Sequence, residues 1–120
     1  MVKKVVVAGC RHYNNYGDAK KYIDICISNI RKEYKIVFLS GGCTGADELG
    51  ERYAKENGFE IQKFPADWNI YGKKAGPMRN KRMAEECDYV ICFWDYKSRG
   101  TRSMIEYAKS LNKPIRILRI

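Results

Sequence analysis

Residues 36–47 read IVFLSGGCTGAD, in which four apolar residues precede a loop with three glycines and the start of an amphipathic stretch. This arrangement predicts a buried strand, a loop and a helix that begins at Ala46. The same succession recurs along the chain. Further apolar runs predict strands at residues 5–8, 59–64, 89–94 and 115–118, and helical spacing predicts helices at 18–32, 46–57, 77–86 and 103–111.

Strands that alternate with helices predict a parallel sheet with helices on both faces, because each connection is a right-handed crossover. We therefore expect one α/β domain over residues 1–120, a Rossmann-like three-layer α/β/α fold with a five-stranded parallel sheet in the order 3-2-1-4-5. Such sheets bind ligands beyond the carboxyl ends of their strands. The loops after strands 1 to 4 are thus the expected site of function.

The composition narrows the class of protein. A formal net charge of +9 over 120 residues indicates attraction to phosphate, either on a nucleotide or on a nucleic acid. No apolar run reaches about 18 residues, so no membrane span or membrane partner is predicted. Five scattered cysteines and one histidine show no metal-site spacing, so we expect a reduced, cytoplasmic protein without a metal or other cofactor.

The loop at residues 40–47 is the first predicted phosphate site, because its glycines expose backbone N–H groups at the start of a helix. A second interpretation remains open for Thr44 and Asp47, whose spacing suits a capping box that only closes the helix end. The predicted ligand-binding residues of this loop are Ser40, Gly41, Gly42, Thr44, Gly45 and Asp47.

Two further loops carry similar signals. Residues Ser98, Arg99, Gly100 and Thr101 begin another helix with a glycine, two hydroxyls and a cation, which predicts a second phosphate site. After strand 1, Gly9 allows a close approach by a ligand and Arg11 can bind a phosphate or a carboxylate. The alternative for Gly9 and Arg11 is an ordinary turn with a surface arginine.

The long connection after strand 3 is also expected to be functional. Its aromatic residues Trp68 and Tyr71 could stack on a base, or Trp68 could simply cover the edge of the core. Asp67 lies in the same segment. Arg79 and Asn80 fall in the first turn of the next predicted helix, where their side chains can face the site.

Five ordered motifs carry a resemblance to a known family: SGGxxGAD at 40–47, ADW at 66–68, GPxRNxxM at 76–83, FWD at 93–95 and SRGT at 98–101. Together they resemble the YspA-like proteins of the SLOG superfamily. That superfamily also includes the Lonely-guy phosphoribohydrolases, the DNA-processing protein DprA and molybdenum-cofactor carrier-like proteins. The resemblance spans almost the whole chain and implies a Rossmann-like domain that binds a nucleotide-derived ligand.

A comparison with the Lonely-guy enzymes bears on catalysis. Their Arg-x-x-x-Met pattern is matched by Arg79 and Met83, but the position of their catalytic glutamate is occupied by Met104. Glu106 lies two residues further on, which turns it by roughly 200° around a helix. The carboxylate that would steady an oxocarbenium-like centre is therefore missing.

Three functions remain open from the sequence. The first is a sensor, carrier or sequestering module for a nucleotide or nucleotide-derived phosphorylated ligand. The second is a nucleotide hydrolase of phosphoribohydrolase type, with Arg79, Asp47 and Asp95 as candidate catalytic residues. The third is a protein that binds single-stranded DNA, so nucleic acid is the less favoured partner. Members of the superfamily often form homodimers, and nothing in the sequence marks an interface.

Overall fold

The computed structural model describes residues 1–120 and contains one sheet of five parallel strands. Its order, β3-β2-β1-β4-β5, confirms the predicted α/β fold and strand order. The strands are β1 (Val2–Gly9), β2 (Lys35–Ser40), β3 (Glu60–Lys63), β4 (Tyr89–Trp94) and β5 (Ile115–Arg119). The first and fourth strands lie side by side, with Gly9 opposite Phe93 at their carboxyl ends.

Six α-helices cover the sheet: α1 (Tyr16–Ile27), α2 (Ile30–Glu33), α3 (Ala46–Glu56), α4 (Trp68–Tyr71), α5 (Ala75–Glu86) and α6 (Arg99–Ser110). One apolar core contains Val5 and Val7 of β1 with buried residues of α1 and α3. A second core contains Val6 and Ala8 of β1 with buried residues of α5 and α6. Burial on both faces explains why the central strands are almost entirely apolar.

Local capping moves several helix boundaries away from their predicted places. The helix predicted at 18–32 is divided into α1 and α2, and α1 begins at Tyr16 because the Asn15 side chain accepts the Asp18 N–H at 3.1 Å. The helix predicted at 103–111 begins earlier, at Arg99, because the Ser98 hydroxyl accepts the Thr101 N–H at 3.3 Å. Side-chain caps satisfy the free N–H groups of a first turn and so fix where a helix begins.

The long connection after β3 is more ordered than the sequence indicated. It contains α4, which is capped by the Asp67 carboxylate at 3.2 Å from the Ile70 N–H, and a 3-10 turn at Gly72–Lys74. Helix α5 begins at Ala75, two residues before Pro77, since a first turn tolerates a residue without an N–H group. None of the helices has the length and hydropathy of a membrane-spanning segment.

The loop after β1 lies directly against the start of α3. The Ala46 N–H donates to the Cys10 carbonyl at 3.1 Å, and Gly45 takes a left-handed φ of 79° beside this contact. A Cβ atom at Gly45 would lie 2.4 Å from the carbonyl oxygens of both Cys10 and Arg11. Position 45 therefore requires glycine for its backbone conformation and also for lack of space.

We predict that Gly45→Ala lowers the free energy of unfolding more than Gly58→Ala does. Both glycines have a positive φ, but a Cβ at Gly58 would meet nothing within 4 Å. Gly58→Ala should cost roughly 1–2 kcal/mol for the backbone conformation alone. Gly45→Ala should cost about 3 kcal/mol or more because two backbone carbonyls must also move. Urea denaturation of both variants measures the difference, and equal losses would contradict the close contact.

Candidate functional site

A cleft of about 470 Å³ opens at the carboxyl ends of β1 and β4, where the strand order reverses. This first cleft lies where open α/β sheets bind ligands. Its wall is formed by the loops after β1 and β4 together with α5 and the start of α6. It includes eight of the predicted site residues: Gly9, Arg11, Asp47, Arg79, Asn80, Ser98, Gly100 and Thr101.

A second cleft, of about 880 Å³, lies beside the first and is bounded by the loops after β2 and β3. Gly41, Gly42, Thr44 and Trp68 of the predicted site line it. Arg11, Cys43 and Arg79 line both clefts and so stand between them. The predicted residues are therefore gathered at one end of the sheet, but in two adjoining spaces.

Four predicted residues line neither cleft. Ser40 is buried and donates to the Glu51 carboxylate at 2.6 Å, and Gly45 packs against the loop after β1. Asp67 caps α4. Arg99 is exposed and borders a shallow depression on the outer side of α6. The contacts of Ser40, Gly45 and Asp67 support the surrounding loops.

Arg79 is the central cation of the site. It is only 7% exposed, and its guanidinium donates to the Gly41 carbonyl at 2.7 Å, to the Asn80 side chain at 2.9 Å and to the Cys43 sulfur at 3.7 Å. None of these partners is a carboxylate, and the salt bridges of the chain lie elsewhere. A buried cation with no carboxylate at ion-pair distance is only partly compensated by the nearby Asp47, so an anion placed in the cleft would be attracted.

Gly41 leaves the space that the Arg79 side chain occupies. A Cβ atom at Gly41 would lie 2.8 Å from Nη1 of Arg79 and 2.9 Å from Oδ2 of Asp47. The backbone φ of Gly41 is not positive, so lack of space alone demands glycine here. The first glycine of the SGG motif thus permits a buried arginine and a buried carboxyl to lie near each other.

Asp47 is 6% exposed, and burial raises the pKa of its carboxyl to about 6. The Cys43 N–H, which donates to Oδ2 at 3.2 Å, and the nearby Arg79 both oppose this rise. The alternative interpretation of Thr44 and Asp47 as a capping box is wrong. The cap residue of α3 is Gly45, and the carboxylate that bonds back to it at 3.0 Å belongs to Glu48. The observed capping pair, Gly45 and Glu48, lies one residue further along the chain than Thr44 and Asp47.

The loop at residues 40–47 uses much of its own hydrogen-bonding capacity. The N–H groups of Gly42, Cys43, Gly45 and Ala46 donate to Ser40, Asp47, Glu48 and Cys10, respectively. The N–H groups of Thr44, Asp47 and Glu48 make no such bond within the chain. Two of the three glycines of this loop, Gly42 and Gly45, therefore have N–H groups that already bond within the chain.

The loop before α6 is held by Asp95. Its Oδ1 accepts the N–H groups of Lys97 at 2.8 Å and Ser98 at 2.9 Å, and these bonds lower the pKa of Asp95 to about 2. The Ser98 hydroxyl then caps Thr101, while the N–H groups of Arg99 and Gly100 remain free at the start of the helix. This end of α6 therefore presents two amide donors where the helix dipole favours an anion.

Met104 lies in the wall of the first cleft and is 1% exposed. Glu106 is exposed and lies on the outer depression of α6. The helix thus directs an apolar side chain, and no carboxylate, toward the cleft at this position. Carboxylates reach the cleft only from Asp47 and Asp95.

Sequence reasoning missed several residues of the site. Cys10, His12 and Lys97 line the first cleft, Lys63 lines the second, and Cys43 lines both. Cys43 receives contacts from Arg79 at 3.7 Å and Arg11 at 4.0 Å. The positions of these five cleft residues depend on which loops meet in space, and no local pattern in the sequence signals them.

We predict that Asp47→Asn changes how stability depends on pH. Because the folded chain holds the Asp47 proton up to about pH 6, the contribution of Asp47 to the free energy of unfolding falls as pH rises from about 4 to about 6. The variant lacks this loss. Its free energy of unfolding should therefore rise by about 1–2 kcal/mol relative to that of the wild type between about pH 4 and about pH 6. Urea denaturation across pH measures both proteins.

Asp95→Asn is the comparison, since the pKa of Asp95 is lowered instead. The bonds of Asp95 stabilise the fold above about pH 4, and their contribution is lost as pH falls toward about 2. Wild-type and Asp47→Asn profiles that run parallel between about pH 4 and about pH 6 would contradict a buried, proton-holding Asp47.

Comparisons with known proteins identify relatives of the chain and of its fold. The chain is 34% identical over 91 residues to the gene 61 protein of Mycobacterium phage D29, which covers 71% of this chain and 73% of that protein. DprA from Streptococcus pneumoniae has the same fold, with a TM-score of 0.73 at 20% identity, over 98% of this chain and 50% of that one.

DprA from Helicobacter pylori, whose structure was described for its single-stranded DNA binding mode, gives a TM-score of 0.73 at 22% identity. The match covers 98% of this chain and 66% of that one, so the chain spans only half to two-thirds of these DprA proteins. Residues 3–71 match the sequence model of the YspA, cpYpsA-related SLOG family. The chain therefore belongs to the YspA, cpYpsA-related SLOG family.

Proposed function

We propose that the protein binds a nucleotide or nucleotide-derived phosphorylated ligand across the two clefts and acts as a sensor, carrier or sequestering module. The observation that carries this proposal is Arg79, a buried guanidinium with no carboxylate at ion-pair distance, in the wall shared by both clefts. A phosphate would supply the missing negative charge and accept bonds from a planar, forked donor.

The phosphate fits best in the first cleft. Arg79 and the start of α6 both line this cleft, where the Gly100 N–H group is free. Arg11 and Lys97 add positive charge to the same wall. A volume of about 470 Å³ is within the range of small-molecule sites.

A base or other apolar portion fits the second cleft. Trp68 lines it, is half exposed and packs near the start of α5, where a Cβ atom at Gly76 would lie 3.0 Å from the indole ring. An indole held in this way loses little further freedom when a flat ring stacks on it. Arg79, which borders both spaces, would then lie between the base and the phosphate.

Binding is favoured over hydrolysis because Met104 occupies the cleft wall where Lonely-guy enzymes carry their glutamate. Asp47 and Asp95 are the remaining carboxylates for a phosphoribohydrolase reaction. Release of free base from nucleoside monophosphates, lost in Arg79→Ala, would replace the binding proposal with the enzymatic one.

We predict that Arg79→Met abolishes ligand binding and that Arg79→Lys weakens it by about tenfold to a hundredfold, because lysine keeps the charge but not the fork. The measurement is thermal shift followed by calorimetry with the four common nucleoside monophosphates, pyrophosphate and inorganic phosphate. Arg82→Met is the matched control, since Arg82 is an exposed arginine of the same helix that lines neither cleft.

Each outcome of that experiment is informative. Binding by wild type and Arg82→Met but not by Arg79→Met supports the proposal. Circular dichroism of Arg79→Met separates loss of the ligand from loss of the fold. A wild-type protein that binds none of the probes, or an Arg79→Met variant that binds as well as wild type, would overturn it.

Single-stranded DNA binding is a second candidate function. It is favoured by the net charge of +9 and by a fold shared with DprA from Helicobacter pylori, whose structure was described for that binding mode. In this case the phosphates would follow Lys63 and Arg11 along the second cleft, and a base would stack on Trp68.

We predict for this candidate that labelled oligothymidylate binds with an affinity that falls steeply with salt. Trp68→Ala should weaken binding by about tenfold to a hundredfold, since stacking is worth about 1–3 kcal/mol per base. Lys63→Ala should also weaken it, whereas Lys20→Ala, on the exposed surface of α1, serves as the control. Fluorescence anisotropy measures these affinities, and binding that is insensitive to salt would exclude the candidate.

A further inference from the structure

Cys10, His12 and Asp95 form a cluster at the floor and rim of the first cleft. One ligand atom from each residue lies within 4.8 Å of the other two. Cys10 is buried, Asp95 is partly buried and His12 is exposed, and all three line the cleft. The cluster contains none of the residues proposed above to contact the phosphate or the base.

Strand register brings these residues together. Cys10 and His12 follow β1, Asp95 follows β4, and the two strands are paired up to Gly9 and Phe93. The Cys10 N–H donates to the Phe93 carbonyl at 3.0 Å, and the Asp95 N–H donates to the Cys10 sulfur at 3.4 Å. Two of the three side chains are therefore held by the backbone of adjacent strands.

The orientation of the Asp95 carboxylate is also fixed. Its Oδ1 accepts the Lys97 and Ser98 N–H groups at 2.8 and 2.9 Å, which leaves Oδ2 available for a metal ion. Hydrogen bonds that orient a ligand in this way are typical of metal sites. His12 is on the surface and can adjust its ring without disturbing the core.

A thiolate, an imidazole and a carboxylate are the ligand types that zinc binds in proteins. Tetrahedral zinc with its usual bond lengths places such atoms roughly 3.4–3.6 Å apart. The present limit of 4.8 Å is wider, and the exposed His12 side chain can move to shorten its distances to Cys10 and Asp95. The negative charges of the thiolate and the carboxylate would balance the charge of the ion.

We propose that Cys10, His12 and Asp95 bind a single zinc-class divalent ion, with a fourth coordination position open to the first cleft. Binding transfers the Cys10 thiol proton to solvent as the metal–sulfur bond forms. Three protein ligands and one open position are the pattern of zinc sites that meet a further ligand. The proposed site requires only the metal ion, so its test does not depend on whether the protein binds a nucleotide.

The test is titration of the purified, fully reduced chain with Zn²⁺ by calorimetry and with Co²⁺ by absorption spectroscopy. The expected result is one ion per chain, with a thiolate-to-cobalt charge-transfer band. His12→Gln and Cys10→Ser should each weaken binding at least tenfold, and Cys10→Ser should abolish the band. Because His12 is the only histidine, zinc should also shift a single set of imidazole signals in NMR spectra.

Cys26→Ser is the matched control, since Cys26 is a partly buried thiol of α1 outside both clefts. Should Cys10→Ser fail to fold, His12→Gln still decides the question, because His12 is exposed. Absence of saturable binding to wild type would overturn the proposal. Equal affinity in wild type and His12→Gln, or a cobalt spectrum without the thiolate band, would overturn it as well.

Discussion

Backbone contact between the loop after β1 and the start of α3 sets the positions on which the site depends. The Ala46 N–H reaches the Cys10 carbonyl at 3.1 Å only because Gly45 carries no Cβ atom. This contact fixes the loop at residues 40–47 against the end of β1, and pairing of β1 with β4 then brings Asp95 to the same place. The loops after β1, β2 and β4, which line the clefts, are thereby held against one another.

The electrostatics of this edge follow from unequal burial. Arg79 is buried and bonded only to neutral groups, Asp47 is buried with its pKa raised to about 6, and Asp95 is held by amides with its pKa lowered to about 2. At neutral pH the Arg79 cation therefore has no carboxylate at ion-pair distance, although the nearby Asp47 is largely ionised, and the stable Asp95 carboxylate lies elsewhere in the same cleft. Such a division suits an anionic ligand on the Arg79 side and a cation on the Asp95 side.

Part of the site was predictable because its residues lie at the ends of strands. Once β1, β2 and β4 were recognised, the loops and helix starts after them had to meet at one edge, and Arg11, Asp47 and Gly100 were found there. The roles within each loop were less predictable. One of the two interpretations of Thr44 had it cap α3, but Gly45 does so, since a shift of one residue in the helix start changes which groups need partners.

The sequence by itself determined the fold class, the order of the strands and the family, because alternating apolar runs, glycine-rich turns and the five motifs are local features. Only the tertiary structure decided that Gly41 makes room for Arg79 and that Cys10 and His12 lie near Asp95. It also divided the predicted site residues between two clefts and gave Ser40, Gly45 and Asp67 supporting contacts. These outcomes depend on strand register and on space shared by distant residues, and neither is encoded in any single stretch of the chain.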